Sequence, residues 1–440
     1  MDRVTVIGAG LAGCEAAWQL VKRGIKVRLI EMKPGKRSAA HVSDSFAELV
    51  CSNSLRSDEL TNAVGLLKEE MRRLGSLIML CADATRVAAG GALAVDREAF
   101  GQRVTELIRA NDNIEVVEEE ATDIPDGEVI IATGPLTSDD MSLCIQRLCP
   151  SGDSLNFFDA VAPIISYESI DMENAYFASR YDKGTPDYIN CPLSKEEYEN
   201  FREELMSARE AQLHGFEDSK VFEGCVPIEV LARRGLDTMR YGPLKPVGLR
   251  DPRTGEDSWA VIQLRRDNAE GTLYNMVGFQ THLTFSEQRR VFSTIPALRN
   301  AEFMRYGVMH RNTYIDSPRL LDRYYRLREL PRISFAGQIT GVEGYVESSA
   351  SGMLVGLETA ARILGLPPLD LPRETALGAL AAYASDGTVT NFQPMNINFG
   401  IIPQLGYKVR GKRNKNLEIS KRALDIIDEH AKGEFFASNL

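Results

Sequence analysis

Apolar and polar positions from Arg3 to Glu31 spell out one βαβ unit. Arg3-Val4-Thr5-Val6-Ile7 is a short buried strand by its run of β-branched residues. Gly8-Ala9-Gly10-Leu11-Ala12-Gly13 is a turn, Cys14 to Lys22 has helical spacing, and Lys26 to Ile30 is a second strand ending at Glu31. Further helical patterns fall within 48–84 (Ala63, Leu66, Leu67, Met71, Leu74) and 96–110. Glu128 to Ile131 is an apolar strand running into Ala132-Thr133-Gly134. Shorter strands are expected at 160–167, 259–264 and 273–279, crossed by a charged helix over 195–214. A late strand reaches Phe335-Ala336-Gly337-Gln338, and a helical run over 348–361 carries the small residues Ala350, Gly352 and Gly356. Pro367-Pro368 marks a boundary before a tail with a helix, an aromatic loop (Phe392 to Tyr407) and a last helix over 414–432.

The pattern predicts an α/β chain: a split Rossmann-like dinucleotide-binding domain interrupted by an inserted α+β domain. The expected parts are 1–145, the insert 146–328, the resumed nucleotide fold 329–370, and a C-terminal helical segment 371–440 with its basic and aromatic loop.

The glycine turn carries the clearest chemistry. Gly8, Gly10 and Gly13, with Ala9, Leu11 and Ala12 between them, let the backbone approach a pyrophosphate at a helix N-terminus. Glu31, at the end of the second strand, is placed to accept hydrogen bonds from a ribose 2′-hydroxyl, which disfavours a 2′-phosphate. The plain alternative is a glycine-rich structural turn, but strand, glycines, helix, strand and acid occur here in order. Thr133-Gly134 and Gly337-Gln338, each ending a later apolar strand, resemble the second contact points of two-domain FAD proteins. That resemblance is what favours FAD over NAD. No second GxGxxG follows a strand, so a nicotinamide donor would dock by another route.

Composition narrows the picture. In 440 residues, 44% are apolar and 26% charged, which excludes disorder or a fibrous state. No apolar run reaches the ~18 residues of a membrane span, and the N-terminus lacks a basic leader, so the expectation is a cytoplasmic protein without a membrane partner. The net charge of −11 argues against a uniformly basic nucleic-acid coat but leaves room for a local patch. Lys408, Arg410, Lys412, Arg413 and Lys415 form a dense run of cations beside Phe399 and Tyr407, which suits RNA phosphates and bases. A solvated helix start is the alternative, although cations are electrostatically unfavourable there. Gly248-Leu249-Arg250 and Arg265-Arg266 are further RNA candidates.

The seven cysteines are odd in number and scattered, so reduced thiols are expected and no metal cluster has the right spacing. Cys51, in Val-Cys-Ser-Asn-Ser, reads either as a thiol activated near the start of a following helix or as a packed residue. Cys225, between Gly224 and Pro227, reads as a presented nucleophile or again as packing. Cys14 and Cys81 read as core, and Cys144/Cys149 as a poor redox pair. In His310-Arg311-Asn312 an imidazole could stack on a heteroaromatic ring while the arginine holds a carboxylate; an ordinary strand end is the alternative.

Taken together, these blocks resemble the folate- and FAD-dependent tRNA (uracil-5-)-methyltransferase family. The resemblance rests on GAGLAGCEAAW (8–18), VCSNSL (50–55), NAVGLLKEEMR (62–72), GGALAVDR (90–97), the segment 222–229, GPLKPVG (242–248), GFQTHL (278–283), YGVMHRNTY (306–314), the segment 335–352 and FQPMNINFG (392–400). It implies C5 methylation of the T-loop uridine at tRNA position 54. It implies 5,10-methylenetetrahydrofolate as one-carbon donor, FAD, and NADH or NADPH as reductant. It further implies that Cys225 adds to uracil C6 and that Cys51 assists loss of the C5 proton, with the two roles exchangeable. His310, Arg311 and Asn312 would hold the pterin. Lys408, Arg410, Lys412 and Arg413 would meet the T-arm. Other possibilities left open are a T-loop-like ribosomal RNA target, a related wobble-uridine enzyme, a flavin-dependent folate oxidoreductase and a non-enzymatic RNA chaperone. Whether the protein is a monomer or a homodimer is also open.

Overall fold

The structure, a computed structural model, describes residues 3–148 except 39, 154–211 except 161, and 226–437 except 269, 308, 390, 391 and 393. Its centre is a five-stranded parallel sheet in the order Ile333–Phe335, Val129–Ile131, Val4–Ile7, Val27–Glu31, Ile114–Glu118. Register aligns Ile7 with Ile30 on one side and with Ile131 on the other, and Ile131 with Phe335. Gly8, Glu31, Ala132 and Ala336 therefore emerge together at the carboxyl edge, where open α/β sheets bind ligands. Strands Val4–Ile7, Val129–Ile131 and Ile333–Phe335 are buried throughout, which explains their largely apolar runs.

Two helices, Leu11–Val21 and Tyr345–Ile363, pack at unusually close range because of the small residues on the second. A Cβ at Gly352 would sit 2.2 Å from the Ala12 carbonyl oxygen, and one at Gly356 would sit 2.7 Å from that of Ala16. The first helix and the late helix are thus one structural unit, although most of the chain separates them in sequence.

The inserted region is a six-stranded antiparallel sheet in the order Tyr176–Ala178, Tyr188–Leu193, Ala260–Arg266, Leu273–Met276, Ile164–Ser166, Phe303–Arg305. Its own core includes Phe201, Phe279 and Phe292. A two-stranded ribbon, Ser154–Ala160 antiparallel to Met309–Ile315, carries the chain into this region and back. A small antiparallel sheet, Ser54–Ser57, Ala92–Val95 and Arg86–Val87, flanks the parallel one. The C-terminal helix Lys412–Ala431 and the helix Ala376–Ala384 dock against Ala63–Arg73.

Several expected elements differ in extent. The strand expected from 160 begins at Ile164, because Pro163 cannot donate to a ladder. The strand expected to 279 ends at Met276, since Gly278 turns the chain at φ +77°. The helical pattern over 48–84 splits into Ala63–Arg73 and Leu77–Ala84 at Gly75, with Ser76 capping the second. The charged helix, started by a Ser194/Glu197 capping box, stops at Ser207. Beyond it Arg209 and Glu210 pair with the 283–284 segment, so tertiary pairing overrides helical propensity.

Candidate functional site

A cleft lies at the carboxyl edge of the parallel sheet, with about 1060 Å³ of empty space including its open mouth. Gly8, Ala9, Gly10, Leu11, Ala12, Glu31, Thr133, Gly134, Gly337 and Gln338 all line it. The three motif glycines do different work. Gly8 has φ +99°, and a Cβ there would lie 2.6 Å from the Ala132 carbonyl oxygen. Gly13 does not line the cleft; a Cβ there would lie 1.8 Å from the Gly8 carbonyl oxygen, so its role is packing. Gly10 has nothing within 4 Å of its Cβ position and leaves the helix start open toward the cleft. That helix has no side-chain cap and no acid in its first turn, the arrangement an incoming pyrophosphate needs.

Glu31 is buried, and its oxygens accept from the Ala9 amide at 2.7 Å and the Lys33 amide at 3.1 Å. The carboxylate therefore braces the glycine loop while keeping lone pairs for a ribose hydroxyl. Opposite, the Thr133 and Thr137 hydroxyls lie 2.6 Å apart, and Thr137 donates to the Gly134 carbonyl at 2.8 Å. The Gly337 amide donates to Ser351 Oγ at 2.7 Å, and Gln338 donates to Glu343 at 2.6 Å. These residues fit a flavin dinucleotide: an acid for the ribose, a bare glycine and an uncapped helix start for the pyrophosphate, and a wall supplied by the late helix.

The first turn of the late helix holds Glu347, fully buried, which pairs with Arg56 and accepts the Ile397 amide at 2.9 Å. Arg56 adopts φ +62°, fixed by the buried Lys68, whose ammonium donates to the Leu55 and Arg56 carbonyls at 3.0 and 3.1 Å. Burial lowers the pKa of that ammonium to about 8.

Cys51 is half-buried and tied to the cleft wall. Tyr345, which lines the cleft at the start of the late helix, accepts the amides of Cys51 and Ser52 at 2.6 and 3.1 Å. The thiol is not at a helix start, as its sequence position implied: strand Ser54–Ser57 follows it, and the next helix begins only at Ala63. Distant residues clamp the loop instead. Arg97 donates to the Leu49 carbonyl at 2.7 Å and pairs with Asp267 at 2.8 Å. Arg265 donates to Ser52 Oγ at 2.6 Å and Asn53 Oδ1 at 3.1 Å, and Asn53 in turn donates to the Val95 and Arg266 carbonyls. Arg265 is buried and spent on this clamp, which removes it from the RNA candidates. Burial works against the Arg97 charge, but Asp267 and its other neighbours hold its pKa above the ordinary value. Burial, reinforced by Arg97, lowers that of Arg305, which reaches from the inserted region to the Ala40 carbonyl at 3.1 Å. Burial, with the neighbouring Cys51 adding to it, raises the Tyr345 phenol.

Cys225 lies outside the described residues. The segment just after it is anchored: the Ile228 amide donates to the Gln280 carbonyl at 2.8 Å, and Glu229 accepts from Thr281 Oγ1 at 2.9 Å and the His282 amide at 2.7 Å. Burial raises the Glu229 carboxyl. His310, Arg311 and Asn312 sit on the ribbon, opposite Asp159, Phe158 and Phe157. Lys408, Arg410, Lys412 and Arg413 are exposed around the start of the C-terminal helix, away from the cleft lining, with Arg413 3.9 Å from Glu59. Cys14 and Cys81 are core. Arg97, Asn53 and Tyr345, each within a block singled out in the sequence, gain their role only from the fold, and Arg265, expected to meet RNA, joins them in the clamp. Among the described residues no helix is long and apolar enough to cross a membrane, and no cluster of His, Cys, Asp or Glu could hold a metal ion.

Fold and cleft define a two-part dinucleotide-binding α/β protein of the flavoprotein type. The family model described as "Glucose inhibited division protein A" matches residues 3–367. The chain is 61% identical over 431 residues to the methylenetetrahydrofolate--tRNA-(uracil-5-)-methyltransferase TrmFO of Acetivibrio thermocellus, covering 98% of this chain and 99% of that one. It is 59% identical over 429 residues to the protein of the same name from Lactobacillus gasseri, covering 97% and 98%. The chain belongs to the TrmFO family. The solved structure of Aquifex aeolicus GidA superposes with a TM-score of 0.71 at 16% identity, over 99% of this chain and 75% of that one, which establishes a shared fold.

Proposed function

We propose that the protein methylates C5 of the T-loop uridine at position 54 of tRNA, taking the carbon from 5,10-methylenetetrahydrofolate, with NADH or NADPH as reductant. The observation that carries this reading is the joining of Cys51 to the wall of a dinucleotide cleft in a chain 61% identical to a protein named for that reaction. FAD, when bound, supplies the electrons that bring the transferred carbon to the methyl level. Gly8, Ala9, Gly10, Leu11, Ala12, Glu31, Thr133, Gly134, Gly337 and Gln338 would hold it.

The chain's own residues then do the following. Cys225, as a thiolate, adds to uracil C6, which makes the ring an enolate nucleophilic at C5. C5 bonds to the one-carbon unit and loses its proton, which Cys51 assists; the carbon's remaining bond to the folate nitrogen then breaks, tetrahydrofolate leaves, and a hydride equivalent completes the methyl group. Expulsion of the C6 thiolate restores the aromatic ring. The Arg97–Asp267 and Arg265–Asn53 contacts keep the Cys51 loop in place during these steps. His310, Arg311 and Asn312 hold the pterin, and the exposed cations from Lys408 to Arg413 meet the T-arm backbone.

The test is Cys225→Ala and Cys51→Ala with an unmodified tRNA transcript. Both should retain FAD, seen as flavin absorbance, and lose 5-methyluridine formation. Full methylation by either variant removes that cysteine from the mechanism.

A further inference from the structure

Three near-parallel aromatic rings run to the surface of the inserted region. Phe303 and Tyr306 stack with centroids 5.2 Å apart at 14°, and Tyr306 and Phe285 at 4.9 Å and 16°. The inner end joins the core: Phe303 lies 6.2 Å from Phe292, which meets Phe279 edge-on at 5.4 Å. The outer end is open, with Phe285 53% exposed. Near-parallel rings about 5 Å apart are offset stacks, and an aromatic ring with one face open to solvent at the end of such a stack is a surface on which a nucleobase can stack.

The platform is rigid and carries charge. Gln288, fully buried on the same helix as Phe285 (Phe285–Phe292), donates to the Gly307 carbonyl and accepts the Gly307 amide, both at 2.8 Å. That double bond fixes the turn bearing Tyr306 against the helix bearing Phe285. Phe285 is the first residue of its helix, and among the described residues Thr284 makes no side-chain cap, so the amides there can meet a phosphate. The one acid in that turn, Glu287, is matched by Arg290 at 2.7 Å and Arg209 at 3.6 Å. Arg289, one turn along from Phe285 on the same face, is exposed and has no ion-pair or side-chain hydrogen-bond partner among the described residues. Arg305, next to Tyr306 in the chain, reaches the Ala40 carbonyl beside His41, which lines the cleft.

The geometry points to a nucleotide-binding site for substrate RNA at Phe285, where a base other than the target uridine stacks on the ring while its phosphate meets the helix start and Arg289. This rests on the RNA-modifying reading above. RNA is favoured over folate as occupant because Phe285 is absent from the cleft lining, where the pterin must approach the flavin.

The experiment is fluorescence anisotropy of the FAD-loaded enzyme with a labelled, unmodified tRNA transcript. Phe285→Ala should raise Kd about 10-fold, and Phe285→Trp should restore it, because stacking needs a π face. Arg289→Gln should raise Kd about 3-fold and lower the slope of log K against log salt by about 1. Flavin absorbance checks folding; if Phe285→Ala loses FAD, Phe285→Leu is read in its place. Unchanged affinity in the alanine (or leucine) variant, or a tryptophan variant as weak as alanine, overturns the site. So does a raised KM for methylenetetrahydrofolate with RNA affinity intact. A wild-type enzyme that neither binds nor methylates the transcript contradicts the proposed function itself, a separate outcome.

Discussion

Helix starts in this protein come in two kinds. The helix Leu77–Ala84 is sealed: Glu15, fully buried on a neighbouring helix, accepts from Ser76 Oγ at 2.6 Å and from the Ile78 amide at 3.0 Å. The helix Ala376–Ala384 is sealed likewise by buried Glu70, which accepts the Ala376 and Leu377 amides at 2.7 and 2.9 Å. The helix after Gly10 has no such carboxylate and opens on the cleft. Free amides at a helix start need an acceptor. At these two structural starts the chain supplies its own acceptor; at the cleft the place is left for a ligand. Sealing has an electrostatic consequence. Burial raises the Glu70 carboxyl to about 8, even though two amide bonds pull the other way.

Four substitutions probe that contrast. The largest effect is expected from Gly13→Ala, whose Cβ would collide with the Gly8 backbone at 1.8 Å. It should cost several kcal/mol, on the order of a severe overpacking change, and yield protein without flavin absorbance. Glu70→Ala should come next, with a loss of about 2–3 kcal/mol in denaturant unfolding, since two buried amides lose their acceptor. FAD binding should survive in the molecules that fold, because the sealed helix lies outside the cleft lining. Gly10→Ala should leave the unfolding midpoint of the apoprotein unchanged, for the Cβ meets nothing within 4 Å, yet weaken FAD about 10-fold by intruding where the pyrophosphate approaches.

The smallest effect is a pH slope. Glu70 titrates near 4.5 when unfolded and about 8 when folded, so between these values the folded state binds more protons. Its contribution is therefore full below about pH 4.5 and fades as pH rises toward 8. Glu70→Gln should flatten the fall in Tm across that window; an unaltered slope assigns the fall to other groups, Glu358 (raised by burial to about 7) first among them.

The open helix start was legible in the sequence because everything it needs is local: a strand, three glycines, a helix and an acid, all between Val4 and Glu31. Most of the parallel sheet was legible for a related reason, since Val4–Ile7, Val129–Ile131 and Ile333–Phe335 are largely apolar runs that end near glycine, whereas the edge strand Ile114–Glu118, partly exposed and partly charged, carried no such signal. The sealed starts were not, since Glu70 and Ala376 are 306 positions apart and a buried carboxylate reads as a surface charge until the fold is known. The Cys51 loop was half legible. Its small polar residues marked it as special, but the expected cause, a following helix, was wrong, and the clamp comes from Arg97 and Arg265, the latter 213 positions from Ser52. Gly352 and Gly356 stood out as small residues on a helix, and their meaning appeared only when the first helix was seen lying against them.

Whether the flavin cleft and the Cys51 loop together serve RNA methylation is decided by one reaction. It combines FAD-loaded enzyme, unmodified tRNA transcript, methylenetetrahydrofolate labelled with ¹³C in its one-carbon unit, and NADH or NADPH, followed by mass spectrometry of the digested RNA. The expected product is 5-methyluridine carrying ¹³C at the T-loop position, absent when folate is withheld and absent with Cys51→Ala. Consumption of folate and nicotinamide with no label in RNA would contradict that function and assign the cleft to folate oxidoreduction instead.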